Sequence, residues 1–143
     1  MHQNVLPGQQ RPYFLESGEG QRYLVGPLHA TTIARRQDTG SLMEGTVLLG
    51  ARNSVVPLHR HNNSHEAIYV LEGSASLRLD DKEFALEGGD YASVPAGTVH
   101  SFTFASHRTR LLTWTFGDSG GAVYAALGQP SEAVTYSARA VPD

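Results

Sequence analysis

Short runs of β-branched and aromatic residues recur between the first dozen residues and residue 128, separated by glycine, proline, asparagine and aspartate. Each run has the length of a strand, and such residues are enriched in strands. Turn-forming residues lie between the runs. The runs are Gly45–Leu49, Glu66–Leu71, Ala75–Leu79, Tyr91–Val94, His100–Phe104 and Leu111–Phe116. Only Ser119–Leu127 has much helix propensity. The pattern predicts an all-β sandwich or barrel.

The length of the chain argues for one domain. Globular domains commonly contain about 100–150 residues, and this chain has 143 with no internal repeat. Its first dozen residues include Pro7-Gly8 and Pro12 and predict an extended arm. The end, from Gly128 to Asp143, has poor periodicity and predicts a short tail. We therefore expect a single domain over residues 1–143, with a barrel core at about residues 22–118.

Composition argues against several classes of protein. The net charge is −3 and no basic run exists, so we expect no nucleic-acid partner. No apolar stretch is long enough to span a bilayer, and the segment from Met1 to Arg11 lacks the regions of a signal peptide. The chain has no cysteine, so it offers neither disulfides nor thiolate ligands. We expect a cytoplasmic protein with no membrane partner.

Histidines and a glutamate form a candidate metal site. Successive side chains of a strand point to opposite faces, so His59 and His61 share a face, with Arg60 opposite. A second strand begins near Glu66, and the glutamate completes a ligand set if that strand lies beside the first. A third strand brings in His100. Three imidazoles and a carboxylate suit a divalent first-row transition ion.

Each member of this set also has an ordinary interpretation. A His-x-His pair is common by chance, Glu66 alone fits a solvated carboxylate, and His100 alone fits a loop histidine. The joint pattern is more specific than any member. His65 neighbours the glutamate and should face the other way. Asp80-Asp81 resembles a pair of catalytic carboxylates, but a hairpin tip is the better interpretation.

Taken together, these residues resemble the two motifs of the cupin superfamily. The matching positions are His59, His61, Glu66 and Gly73 in the first motif and Gly89, Pro95, Gly97 and His100 in the second. Phe104 stands where an asparagine is common, and Gly50 lies further before the first histidine than usual. The resemblance implies a cupin-type double-stranded β-helix, which is a jelly-roll barrel. It also implies one bound ion of Fe, Mn, Ni, Co, Cu or Zn.

A closer likeness is to bacterial quercetin 2,3-dioxygenase-like cupins. It rests on the segments from Pro12 to Gly20, from His65 to Gly73 and from Thr109 to Trp114. The likeness implies a metal-dependent dioxygenase that uses dioxygen to open a flavonol or related enediol ring, with loss of carbon monoxide from a flavonol. Glu66 would be both ligand and base. Single-domain cupins are commonly homodimers, so we expect one here.

Four apolar residues are candidates for substrate contact. Ile68 follows Glu66 by two residues and Phe102 follows His100 by two, so each should share the inner face of its neighbour. Phe104 and Trp114 are further candidates, and each aromatic also fits a plain core role. Two other functions remain open. The first is a metallo-cupin isomerase, cyclase or dehydratase of secondary metabolism, and the second is a non-catalytic small-molecule-binding cupin.

Overall fold

A computed structural model of the chain describes residues 5–60, 63–117 and 129–130. His61, the segment Ser119–Leu127 and most of the predicted tail lie outside these ranges. The described part forms eleven strands and a 3-10 helix at Arg36–Asp38. No helix in it has the length and the apolar run that crossing a membrane requires. The strands are β1 (Gln21–Val25), β2 (Leu28–Ala34), β3 (Met43–Gly50), β4 (Val55–His59), β5 (Ser64–Glu72), β6 (Ser74–Leu79), β7 (Lys82–Glu87), β8 (Tyr91–Val94), β9 (His100–Phe104), β10 (Thr109–Gly117) and β11 (Gln129–Pro130).

The strands form two antiparallel sheets. The seven-stranded sheet has the order β11-β1-β2-β3-β10-β5-β8, and the four-stranded sheet has the order β4-β9-β6-β7. Strands that are consecutive in the chain repeatedly fall in different sheets, as in β3 and β4 or β5 and β6. Each of the six runs predicted from sequence lies within one observed strand. The fold is the predicted all-β jelly roll.

The core lies between the inner faces of the two sheets. On β5, Ile68 and Val70 are almost fully buried, and on β9 Phe102 and Phe104 are as well. The two phenylalanine rings stack with centroids 6.4 Å apart and an interplanar angle of 8°. Fully burying one such side chain stabilises a fold by about 1.5–3 kcal/mol. These apolar contacts hold the two sheets together around the buried polar residues Glu66 and His100.

The arm at residues 5–20 contains no helix or strand, as expected for an extended segment. It is attached to the seven-stranded sheet by hydrogen bonds. The backbone N–H of Gly8 donates to the Asp38 carboxylate at 2.6 Å, and the Tyr13 hydroxyl donates to the carbonyl of Ile33 at 2.7 Å. Asp38 also accepts hydrogen bonds from the Arg35 guanidinium at 2.8 and 3.1 Å. The buried carboxylate therefore joins the arm to the 3-10 helix.

Candidate metal centre

Three of the four predicted ligands lie together inside the barrel. His59, Glu66 and His100 each offer one ligand atom, and these atoms lie within 4.8 Å of one another. Glu66 and His100 are fully buried, and His59 is partly buried. His61 lies outside the described residues, so its predicted role stays a prediction.

The two sheets contribute different ligands. His59 ends β4 and His100 begins β9, and these residues are direct partners in the antiparallel pairing. Their ring centroids are 4.2 Å apart, with the planes tilted by 56°. Glu66 lies on β5 in the opposite sheet. From the sequence, the glutamate completes the set if its strand lies beside the histidine strand. The structure places the two strands in different sheets, so the carboxylate approaches from across the barrel.

Backbone carbonyl groups orient both imidazoles. Nδ1 of His59 lies 2.7 Å from the carbonyl oxygen of Pro57, and Nδ1 of His100 lies 2.9 Å from that of Thr98. A carbonyl oxygen can only accept a hydrogen bond, so Nδ1 is the donor in each ring. Each histidine therefore presents Nε2 to the interior. Histidine ligands are commonly held in this way, with one nitrogen bonded to an acceptor and the other facing the metal.

Glu66 and His100 form a buried pair. Oε1 of Glu66 lies 2.7 Å from Nε2 of His100. Burial alone would lower the pKa of the His100 imidazole, but the hydrogen bond to Glu66 and the charge of its carboxylate raise that pKa above its ordinary value. Because Nδ1 of His100 already donates to Thr98, its Nε2 can donate to Glu66 only when the ring carries a proton on both nitrogens. Metal ions displace such protons, because ligand nitrogens must be deprotonated to bind.

A family model for the cupin domain matches residues 46–116, which contain all three of these residues. The match agrees with the jelly-roll topology and with the histidines and glutamate just described. The chain belongs to the cupin superfamily.

Two curated relatives are enzymes by name. This cupin is 45% identical over 125 residues to quercetin 2,3-dioxygenase of Bacillus subtilis, which is 87% of this chain and 37% of the relative. It is 46% identical over 56 residues to acireductone dioxygenase 1 of Nocardia farcinica, which is 36% of this chain and 29% of the relative. The chain thus spans little more than a third of the length of the Bacillus relative.

A solved structure shares the fold. It is a predicted oxalate decarboxylase of Thermotoga maritima, with a TM-score of 0.69 and 16% identity. The alignment covers 74% of this cupin and all of that chain. At this level of identity the likeness supports the jelly-roll fold alone.

The donor set of the cupin fits a divalent first-row transition ion. Two imidazole Nε2 atoms and a carboxylate oxygen are the nitrogen and oxygen donors that such ions prefer. The Nε2 atom of His59 and the Oε2 atom of Glu66 are buried, so the site is shielded from bulk water. Membership of the superfamily also implies a metal ion, and the three donors are where it would bind.

Three of the four predicted substrate-contact residues share the inner face with the ligands. Ile68, Phe102 and Phe104 belong to the buried apolar cluster. Trp114 does not share that face. The buried residues of β10 are Thr109, Leu111, Thr113 and Thr115, which share one face of the strand. The Trp114 ring lies on the other face, 3.6 Å from the position that a Cβ atom on Gly45 would occupy. Trp114 is therefore excluded from the inner wall.

One inner-face carboxylate was missed by the sequence reasoning. Thr115 pairs with Glu44 on one side and with Glu66 on the other, so the three side chains form a polar row across β3, β10 and β5. Burial raises the pKa of Glu44, an effect that the backbone N–H of Arg36 and nearby guanidinium groups partly offset. The strand was predicted to begin at Gly45. If the strand is extended back by one residue, the alternation of side chains between its two faces places Glu44 on the inner face.

His65 lies on the outer face, as strand alternation predicts. Its Nε2 atom is 2.8 Å from the hydroxyl of Ser93, and His65 is absent from the ligand cluster found among the described residues.

A cavity of about 270 Å³ also lies on the outside of the seven-stranded sheet, under the arm. Arg108 and Arg110 line it together with Glu16 and Glu19. The two arginines and the two glutamates carry equal and opposite charge. His59, Glu66 and His100 do not line this cavity.

Proposed function

We propose that this cupin is a metal-dependent dioxygenase of the quercetinase type, which opens a flavonol or a related enediol ring with dioxygen. The observation that carries the proposal is the buried convergence of His59, Glu66 and His100 in a chain 45% identical to a protein named quercetin 2,3-dioxygenase. In the proposal these residues and His61 hold one divalent ion.

Glu66 is the proposed base. A bound divalent ion would lower the pKa of a substrate hydroxyl. The Glu66 carboxylate belongs to the same ligand cluster, so a hydroxyl bound to the ion would lie beside it and could transfer its proton to Oε1 or Oε2. The backbone carbonyl of Thr98 holds the His100 ring in place while this proton moves. Burial excludes water that would compete for the proton.

The inner apolar residues support a planar, largely apolar substrate. Ile68 and Phe102 lie on the same faces as the ligands, each two residues from one of them, and are proposed as contacts. Phe104 also lies on the inner face, but it packs close to Gly50 and is assigned to the core. A second substrate class, the smaller enediols, is supported by the likeness to acireductone dioxygenase 1. A reductone is by definition an enediol beside a carbonyl group, so both classes present an acidic hydroxyl to the ion.

The test replaces Glu66 by glutamine. We expect Glu66→Gln to abolish oxygen uptake with quercetin and with enediols, because the amide cannot accept the proton, while part of the metal is retained. The matched control is Glu87→Gln, which changes an exposed residue of β7 and should leave uptake unchanged. An oxygen electrode and metal analysis of the same samples make the measurement.

Two outcomes would count against this function. Full activity of metal-loaded Glu66→Gln protein would remove the proposed base. Metal-loaded wild-type protein that consumes no oxygen with any flavonol or enediol would favour an isomerase, cyclase or dehydratase, or a non-catalytic binding protein.

The homodimer, the single domain and the cytoplasmic location stay predictions. The homodimer is supported by apolar side chains on the outer face of the seven-stranded sheet. Tyr69 and Tyr91 pair across β5 and β8 and are 37% and 57% exposed. Phe116 on β10 is also exposed on this face. A second copy of the chain would bury these rings.

A further inference from the structure

Asp80, at the tip of the β6–β7 hairpin, is bonded to the loop that precedes β9. Its backbone N–H donates to the carbonyl of Val99 at 2.8 Å, and the N–H of Val99 donates to Oδ1 of Asp80 at 3.3 Å. Asp80 has a φ of +53°, a conformation that aspartate, asparagine and glycine adopt most easily. The hairpin alone explains this conformation but requires no carboxylate.

One peptide group connects this carboxylate to a proposed metal ligand. The N–H of Val99 and the carbonyl of Thr98 belong to the same planar amide. That carbonyl accepts the Nδ1–H of His100 at 2.9 Å. A carboxylate, an amide and an imidazole therefore form a continuous chain of hydrogen bonds. Bonds in such a chain polarise one another, so a negative charge at one end strengthens the acceptor at the other.

The loop itself is built to present this amide. Gly97 has a φ of +86°, and an added Cβ would meet nothing within 4 Å, so backbone conformation alone favours glycine there. The N–H of Thr98 closes the turn onto the carbonyl of Pro95 at 3.2 Å. The hydrogen bond from the Val99 N–H to the Asp80 carboxylate then fixes the Thr98–Val99 amide, and the bond from the Asp80 N–H to the Val99 carbonyl fixes the peptide that follows it.

We propose that Asp80 is a positioning residue for the metal centre, acting on His100 through the Thr98–Val99 peptide. The carboxylate holds the peptide in place and increases the basicity of the imidazole Nε2, as carboxylates bonded directly to histidine ligands do. This inference rests on the proposed role of His100 as a ligand. It assigns a function to an aspartate that the sequence marks only as a hairpin tip.

Three variants separate positioning from turn formation. Asp80→Gly keeps the backbone N–H and tolerates the positive φ but removes the side-chain acceptor. Asp80→Asn keeps a neutral acceptor. Asp81→Gly introduces the same glycine one residue later, at an exposed position of the same hairpin, and controls for added flexibility. The affinity for Co²⁺ is measured by chelator competition, together with the visible spectrum of the bound ion.

We expect Asp80→Gly to weaken Co²⁺ binding about tenfold, the lower end of the range for residues that support metal ligands. Its Co²⁺ spectrum should also change. Asp80→Asn should recover a large part of the affinity, and Asp81→Gly should match wild type. Nitrogen chemical shifts of the His100 ring in metal-free protein should change in Asp80→Gly and not in Asp81→Gly, because they report the Nδ1 hydrogen bond.

The inference is overturned if Asp80→Gly binds Co²⁺ as wild type does, or if Asp81→Gly weakens binding equally. Both results require wild-type protein that binds the ion, so they leave the proposed function standing. Wild-type protein that binds no Co²⁺ would overturn the proposed function and this inference together.

Discussion

At the scale of single residues, the two described histidines of the candidate centre are held by the backbone two positions earlier in the chain. His59 donates to Pro57 and His100 donates to Thr98. A backbone carbonyl has the same chemistry at every residue, so no sequence motif marks it. The ligand residues could be predicted because histidine and glutamate are specific donor types. Their orientation depends on loop geometry and could not be predicted.

Phe104 tests whether an inner aromatic residue is core or substrate wall. Its side chain is fully buried, and a side chain on Gly50 would begin only 3.0 Å from its ring. Phe104→Ala should therefore lower the free energy of unfolding by about 3–5 kcal/mol, because the tightly packed surroundings cannot collapse into the space. Urea denaturation measures this loss.

Phe84→Ala is the control for that measurement. Phe84 is 45% exposed on β7, so its removal should change the free energy of unfolding far less. A loss below about 1 kcal/mol for Phe104→Ala would indicate a ring that lines open space, contrary to the core packing described for it.

Trp114 shows why the face of a residue is hard to predict from an apolar strand. β10 carries Leu111 and Leu112 next to each other. Tryptophan and threonine, the residue types at positions 114 and 115, are both common in strands. A strand with apolar side chains on both faces has no clear period of two. The structure decides the face, because Leu111 is buried in the core and Trp114 has the opposite parity.

At the scale of elements, strands with clear alternation were predicted and others were not. β5 and β9 alternate between buried and more exposed residues, and both were found. β7 was not, because five of its six residues are exposed and its charged ends leave only a short apolar stretch from Phe84 to Leu86. The sheet that each strand joins also could not be predicted. Strand pairing depends on contacts between residues far apart in the chain, which is why the sequence did not decide whether the strand of Glu66 lies beside that of His59 or across from it.

Asp38 connects the arm to the 3-10 helix, and its charge makes that connection depend on pH. Burial tends to raise the pKa of the Asp38 carboxyl, but hydrogen bonds from Arg35 and Gly8 outweigh it, so the pKa lies below its ordinary value. A carboxyl group whose pKa is lower in the folded state than in the unfolded state stabilises the fold at pH values above its unfolded-state pKa, which is about 3.9 for aspartate. The contribution is lost as the pH falls through the folded-state pKa.

Asp38→Asn should lower the free energy of unfolding at pH 7 by about 1–3 kcal/mol, because it weakens several hydrogen bonds to a buried carboxylate. The difference from wild type should shrink when the pH falls below about 4. Urea denaturation from pH 7 to pH 3 measures it. Asp81→Asn should stay within about 0.5 kcal/mol of wild type throughout. A difference for Asp38→Asn that does not change with pH would contradict the electrostatic explanation.

At the scale of the whole molecule, the candidate centre joins the two sheets. The four-stranded sheet supplies His59 and His100, and the seven-stranded sheet supplies Glu66. An ion bound by all three would link both sheets and stabilise the folded state by an amount that grows with the logarithm of its affinity. The jelly roll alone does not specify a reaction, because one fold supports many chemistries. The proposed function therefore depends on whether His59, Glu66 and His100 bind a divalent ion.

The number of divalent ions bound per chain tests this binding most directly. Elemental analysis of wild-type protein made without chelators, followed by titration with Co²⁺, should give one ion per chain. His100→Ala should bind well below one ion, because a buried ligand is lost, whereas His65→Ala on the outer face should bind one. Wild-type protein that contains no metal and takes up none on titration would contradict the account.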